Sequence, residues 1–196
     1  IKEAKKNNFN SIVLDDGFQD YSIKKSINII CFNSNQSIGN GLVIPAGPLR
    51  ESLKSLINAN IVIINGNKNH ILEKKILNIS NNIKIYYSKY LPLNIEEFKN
   101  KKLFAFSGIG NPNNFFKLLN ENNLNLEKTL SFPDHYNFDK SEIQKISDES
   151  LKNNYQIITT EKDYYRIKDY GFNNIKYLKI ELQIYEKDKL INQIFN

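Results

Sequence analysis

Five short clusters carry the residue types that chemistry needs. The first is Ile12-Val13-Leu14-Asp15-Asp16-Gly17-Phe18-Gln19-Asp20, an apolar run ending in two adjacent carboxylates. Asp delivered at the carboxyl end of a strand can hold a hydrated Mg²⁺ beside nucleotide phosphates, because a hard cation takes carboxylate oxygens in a rigid place. An Asp-Gly turn leaving a strand has the same signature. The second cluster, Pro45-Ala46-Gly47-Pro48-Leu49-Arg50-Glu51, uses two prolines and a glycine to fix an irregular backbone and then presents Arg50 beside Glu51. A guanidinium grips phosphate or carboxylate bidentately where Lys offers a point charge. Arg50 therefore reads as a phosphate ligand or as a pin between its loop and a carboxylate. The third, Ser131-Phe132-Pro133-Asp134-His135-Tyr136, sets an Asp beside a His, the pairing that can orient an imidazole or raise its basicity for general-base work near neutral pH. A local hydrogen bond that steadies the loop is the competing reading. His70, the other histidine, lies in an Asn/Lys-rich stretch and reads as solvated.

Two further clusters are less specific. Gly108-Ile109-Gly110 follows an apolar run and opens a helical pattern, so it is a tight strand-to-helix turn or a cradle of backbone N–H groups for an anion. It lacks the third glycine and the acidic partner of a dinucleotide fingerprint. Thr160-Glu161-Lys162-Asp163 carries both signs of charge at a strand end and reads equally as a salt-linked turn.

These clusters need elements to position them, and the hydrophobic period supplies alternating strands and helices. Strands are expected over residues 11–14, 27–32, 61–64, 83–87, 103–107, 128–132, 156–159 and 176–180. Helices are expected over 52–57, 71–79, 113–120, 141–151 (capped by Ser141) and 187–195. Strands at this spacing imply a mainly parallel sheet, since parallel neighbours require crossover connections. Ligands on such sheets sit beyond the carboxyl ends of the strands, where Asp15-Asp16, residues 107–111 and residues 160–163 fall.

Composition bounds the function classes. The chain has 196 residues and a formal charge of +6, with 31 Asn, 29 Ile and 25 Lys making up 85 positions. All three residue types have A/T-rich codons, so the charge is weak support for nucleic-acid binding, which would show Arg clusters interleaved with aromatics. The reading is of no nucleic-acid partner. The single cysteine, Cys31, excludes an internal disulfide and a thiolate metal cluster and suits a reducing compartment. No apolar run approaches the roughly 18 to 20 residues that span a bilayer, and the first ten residues are polar and lysine-rich rather than a secretory leader. There is no methionine, and Ile1-Lys2-Glu3-Ala4-Lys5-Lys6 reads as the tail of a helix, so a preceding portion is expected.

Taken together, the clusters resemble the tetraacyldisaccharide 4'-kinase family of lipid A biosynthesis. The family pattern Asp-Asp-Gly-Phe-Gln-His stands here as residues 15–20, Pro-Ala-Gly-Pro-Leu-Arg-Glu as 45–51, Gly-Ile-Gly-Asn-Pro as 108–112, Phe-Pro-Asp-His-His as 132–136 and Thr-Glu-Lys-Asp as 160–163. The resemblance implies ATP and Mg²⁺ as cofactors and transfer of the γ-phosphoryl to the 4'-hydroxyl of a tetraacyldisaccharide 1-phosphate, giving lipid IVA at the cytoplasmic face of the inner membrane. It implies an α/β fold: the remnant of a P-loop NTPase-like domain plus a smaller Rossmann-like domain with a mainly parallel sheet, and substrate in the cleft between them. Asp15 and Asp16 would be Walker B-type carboxylates near the metal. Arg50, Glu51 and Gln19 would bind substrate, and Asp134 with His135 would assist the base that activates the sugar hydroxyl.

Three departures qualify that picture. Asp20 and Tyr136 stand where the family pattern has histidines, and no Gly-x-x-x-x-Gly-Lys-[Ser/Thr] occurs in the chain. Phosphoryl transfer depends on such a cradle and its lysine. The expectation is a carboxyl-terminal portion, inactive alone, attached to the membrane peripherally or through a missing amino-terminal part. Residues 1–35 would belong to the kinase domain, 36–180 to the smaller domain, and 181–196 would return to the kinase domain. A non-catalytic phosphate-binding or sugar-lipid-binding module derived from the family is the alternative.

Overall fold

The computed structural model describes residues 1–195. The chain forms two compact units, Ile1–Tyr90 joined by the segment from Leu182 on, and Leu91–Glu181.

In the first unit, α1 (Lys2–Lys6) precedes β1 (Ile29–Asn33), a 3-10 turn (Leu53–Asn58), β2 (Ile61–Asn65), α2 (His70–Leu77) and β3 (Lys84–Pro92). β1, β2 and β3 are parallel neighbours. The central strand β2 is apolar at successive positions because both of its faces are covered. Val62 and Ile64 join Leu72 and Ile76 of α2 in one core, while Ile61 and Ile63 face the other way, toward Tyr86 and Leu190. Each such isoleucine contributes roughly 1.5 to 3 kcal/mol on burial.

In the second unit come β4 (Lys102–Ser107), α3 (Pro112–Glu121), β5 (Asn125–Ser131), α4 (Lys140–Asn153), β6 (Gln156–Thr160), α5 (Glu161–Ile167) and β7 (Ile175–Leu178). Its parallel sheet runs β5-β4-β6-β7. β4 repeats the logic of β2. Leu103 and Ala105 pack on Phe115, Phe116 and Leu119 of α3, and Phe104 and Phe106 pack on Ile143 and Ile146 of α4. The chain then forms β8 (Ile180–Ile184) and α6 (Lys187–Phe195), with β8 completing the order β1-β2-β3-β8.

The α/β class with mainly parallel sheets is as expected from the sequence, and several particulars differ. Residues 11–14 form no strand: all four are exposed, and a strand exists only with a hydrogen-bonded neighbour, which no described residue provides. The helix expected to start at Ser141 is capped instead by Asp139, whose side chain and that of Glu142 form a reciprocal capping box. Residues 160–163 are a helix start, with Thr160 accepting the Asp163 N–H as N-cap of α5. The unit boundary also falls after Tyr90 rather than after residue 35. β1 pairs with β2 along its whole length, and Ile38 shares a core with Val62 and Leu72, so residues 36–90 pack with the first unit.

Candidate functional site

Within the first unit, the Asp15-Asp16 and Arg50-Glu51 segments are laced together. The Arg50 guanidinium donates to Asp16 across 34 residues of chain. The neighbouring Glu51 accepts the Tyr21 hydroxyl with both oxygens, at 3.0 and 2.8 Å, and that bond pushes the Tyr21 phenol above its ordinary pKa. Asp16 likewise raises the Arg50 guanidinium. The turn carrying the aspartates is held from below by Lys25, whose ammonium donates to the carbonyls of Gly17 at 2.9 Å, Phe18 at 3.2 Å and Asp20 at 2.5 Å. Asp20 accepts the Ser22 hydroxyl and N–H, which lower its pKa. Asp20 thus caps its own turn.

The Arg50 loop owes its shape to Asn40 and Gly47. Asn40 donates to the Ala46 carbonyl at 2.8 Å and accepts the Leu42 N–H at 3.1 Å. A Cβ on Gly47 would lie 2.2 Å from the Asn40 Oδ1 and 2.4 Å from the Leu42 carbonyl oxygen, so only glycine fits. Asp15, Asp16, Gln19, Arg50 and Glu51 line one cavity of about 1250 Å³. Asp16 is held with φ at 55°, a left-handed conformation that costs a non-glycine residue on the order of 1 kcal/mol. Two adjacent exposed carboxylates suit Mg²⁺, which takes one or two protein carboxylates and completes its shell with phosphate oxygens and water. Among the described residues no group of three or more acidic, His or Cys side chains could hold an ion alone.

Within the second unit, three adjacent parallel strands bring the other clusters to one edge. β4 ends at Ser107-Gly108, β5 leads into Phe132 and then Asp134-His135, and β6 leads into Thr160 and α5. At the centre is Asp163, fully buried. Its Oδ2 accepts from the Gly108 N–H at 2.9 Å, the Ser107 hydroxyl at 3.2 Å and the Thr160 hydroxyl at 2.7 Å. Its Oδ1 accepts from Arg166 Nη1 at 3.1 Å. The Gly108 amide, read from sequence as either a turn or an anion cradle, therefore already faces an anion of the protein itself. A Cβ there would lie 3.1 Å from the Phe138 ring and 3.5 Å from Asp163.

His135 sits on the exposed loop after β5 with φ at 57°. Asp134 accepts the His135 backbone N–H at 3.0 Å, and its other carboxylate oxygen is 3.8 Å from His135 Nε2, beyond hydrogen-bonding range. The ring's close partner is Arg166, with Nη2 3.2 Å from Nδ1. Tyr136 stacks against Phe132 and Phe138 and donates its hydroxyl to Glu142 at 2.8 Å, which raises its pKa. It is part of the fold's packing. His70 is exposed, as expected, and its Nδ1 lies 2.8 Å from Glu73.

Arg166, Lys25 and Tyr21 were not singled out from the sequence. For Arg166 the signal was present: it is the second of two arginines in a lysine-rich chain, and a guanidinium offers a fork of donors that Lys does not.

The family model described as tetraacyldisaccharide-1-P 4'-kinase matches residues 1–196. The chain belongs to this family. Among its relatives, the tetraacyldisaccharide 4'-kinase of Pelagibacter ubique is 41% identical over 197 residues, covering 99% of this chain and 63% of that protein. Those of Rickettsia canadensis and Haemophilus influenzae are 38% and 31% identical, covering 94% and 91% of this chain and 56% and 51% of theirs. A crystal structure of LpxK from Aquifex aeolicus in complex with ATP shares the fold, with a TM-score of 0.58 and 24% identity over 92% of this chain and 56% of that one. The chain thus spans about half to two thirds of the length of these relatives. No helix among the described residues is long and apolar enough to cross a membrane.

Proposed function

We propose that this chain is the carboxyl-terminal portion of an ATP-dependent kinase that phosphorylates the 4'-hydroxyl of a tetraacyldisaccharide 1-phosphate to give lipid IVA, at the cytoplasmic face of the inner membrane. The observation that carries the reading is the contact between Arg50 and Asp16, which joins two family sequence blocks on the wall of one cavity. Asp15 and Asp16 would hold the Mg²⁺ of a bound ATP. When bound, that ion neutralises charge developing on the transferred phosphoryl group. Arg50 offers a bidentate guanidinium for a phosphate, and its present partner Asp16 keeps it extended toward the carboxylates until one arrives. Glu51, steadied by Tyr21, and Gln19 would complete the polar wall for the sugar. In the second unit, Asp134 and His135 would assist the base that takes the proton from the 4'-hydroxyl.

The phosphate-cradling Gly-x-x-x-x-Gly-Lys-[Ser/Thr] motif is not among residues 1–196, so these residues alone are expected to transfer no phosphate. The test is transfer of labelled γ-phosphate from ATP to tetraacyldisaccharide 1-phosphate by the full-length protein, by its Asp16→Asn variant and by residues 1–196. The reading requires activity in the first and its loss in the other two. Lipid or phosphate binding by a full-length protein without any transfer would instead establish the non-catalytic binding module.

A further inference from the structure

We propose that Arg166 is a positioning residue that holds the His135 imidazole in its Nε2–H tautomer, through a fixed chain running from Asp163 to Arg166 to His135. Its bearing on catalysis rests on the role proposed above for His135; the tautomer assignment itself does not.

A guanidinium has five N–H donors and no acceptor. Arg166 Nη2 lies 3.2 Å from His135 Nδ1, so Nδ1 meets it with a lone pair, and the proton of the neutral ring stands on Nε2. The donor is itself immobilised. Arg166 Nη1 donates to Asp163 Oδ1 at 3.1 Å and to the Gly108 carbonyl at 3.2 Å. Asp163 is in turn clamped by Gly108, Ser107 and Thr160 at the ends of β4 and β6. His135 by contrast is on an exposed loop, and Nδ1 to Arg166 is its one close side-chain bond among the described residues. Without that bond the ring would rotate and exchange tautomers in water. With it, Nε2–H points away from the guanidinium as a donor for an anionic oxygen.

His70 is the internal contrast. Its Nδ1 faces the Glu73 carboxylate at 2.8 Å, an acceptor, so the neutral His70 ring carries its proton on Nδ1. Two histidines of opposite tautomer are therefore expected in one protein.

The experiment is ring-nitrogen NMR of full-length protein labelled with ¹⁵N only in histidine. It is recorded at about pH 8.5, above the ordinary histidine range, with signals assigned by their loss in His135→Gln and His70→Gln. His135 should show a bare Nδ1 and a protonated Nε2, with His70 reversed. Arg166→Lys replaces the two-nitrogen fork, which reaches Asp163 through Nη1 and His135 through Nη2, with a single nitrogen on a flexible stem. It should keep the fold by circular dichroism, give tautomer-averaged His135 signals and lower kcat on the order of tenfold, with KM for ATP within about twofold of wild type. A protonated or averaged Nδ1 at His135 in the wild-type protein overturns the assignment, and that spectrum decides it even if Arg166→Lys does not fold. An averaged tautomer in Arg166→Lys with unchanged kcat overturns the catalytic part. An Nε2–H ring in a wild-type protein that transfers no phosphate supports the tautomer and counts only against the kinase reading.

Discussion

The carboxylate of Asp163 accepts the backbone N–H of Gly108 at 2.9 Å, across 55 residues of chain. Through this bond the turn after β4 and the first turn of α5 become one structure, and the glycine-rich turn is occupied by an internal anion. Asp163 also gathers Ser107, Thr160 and Arg166, so a single buried side chain ties the ends of two neighbouring strands.

Asp163→Ala should be strongly destabilising. It strips acceptors from two hydroxyls, one amide and a guanidinium that is only a quarter exposed, a loss on the order of 3 kcal/mol. Asp163→Asn retains an oxygen for the Gly108 amide and should lose less, about 1 kcal/mol. Urea unfolding followed by Tyr and Phe signals from the second unit would show it. An Asp163→Ala midpoint equal to wild type would remove the residue from the framework.

Arg50 should behave in the opposite way. Its pair with Asp16 is exposed on both sides, 60% and 63%, and exposed pairs add little to stability because solvent screens them. Arg50→Ala should therefore leave the melting temperature nearly unchanged while lowering phosphoryl transfer by at least about 100-fold, the scale of losing one charge-stabilising donor. Differential scanning calorimetry beside a turnover assay separates the two effects. A large thermal loss with intact turnover would make Arg50 a structural pin.

That contrast bears on what could be read from the sequence. β2 and β4 were legible because a strand covered on both faces is a continuous apolar run, as Ile61-Val62-Ile63-Ile64 and Leu103-Phe104-Ala105-Phe106 are. Residues 11–14 have the same signature, yet pairing depends on a neighbour and periodicity does not report one. β8 was missed although Ile180-Glu181-Leu182-Gln183-Ile184 alternates apolar and polar residues, the signature of a half-buried strand; α5 was missed because its first turn is polar and the helix has seven residues. Of the site, Asp15, Asp16, Arg50 and Glu51 were legible as types, but the tie from Glu51 to Tyr21 was not, since a contact across 30 residues leaves no spacing signal. The link from His135 to Arg166 was hidden for the same reason: 31 residues separate them.

Gly47 tests whether the Arg50 loop is as tightly built as its geometry indicates. An added methyl would meet the Leu42 carbonyl carbon at 2.8 Å and its oxygen at 2.4 Å, and backbone cannot yield as a flexible side chain can. Gly47→Ala should open the bonds from Ile44 N–H to the Leu49 carbonyl and from Leu49 N–H to the Leu42 carbonyl. In hydrogen exchange the Ile44 and Leu49 amides should lose protection, with those of β4 unaffected. Retained protection at both amides would show that the loop tolerates a side chain there.

The capping box of α4 gives a pH dependence whose sign is fixed by its bonds. The Asp139 N–H donates to Glu142 at 3.0 Å and the Tyr136 hydroxyl at 2.8 Å, and together they hold the Glu142 carboxyl below its ordinary value, the backbone bond being the larger cause. The folded state therefore binds this proton less readily than the unfolded chain. Stability from the box is complete above the unfolded glutamate value, about 4.3. It is lost as pH falls from there through the lower folded value, because in that window the unfolded chain carries more protons. Glu142→Gln cannot titrate, so its unfolding midpoint should change less than that of wild type between about pH 5 and pH 3, while lying lower at neutral pH through the weaker cap. Urea midpoints collected across that range for both proteins provide the comparison. Parallel curves would mean that Glu142 is not linked to folding, and that the loop carrying Asp134 and His135 is held at its far end by something other than this box.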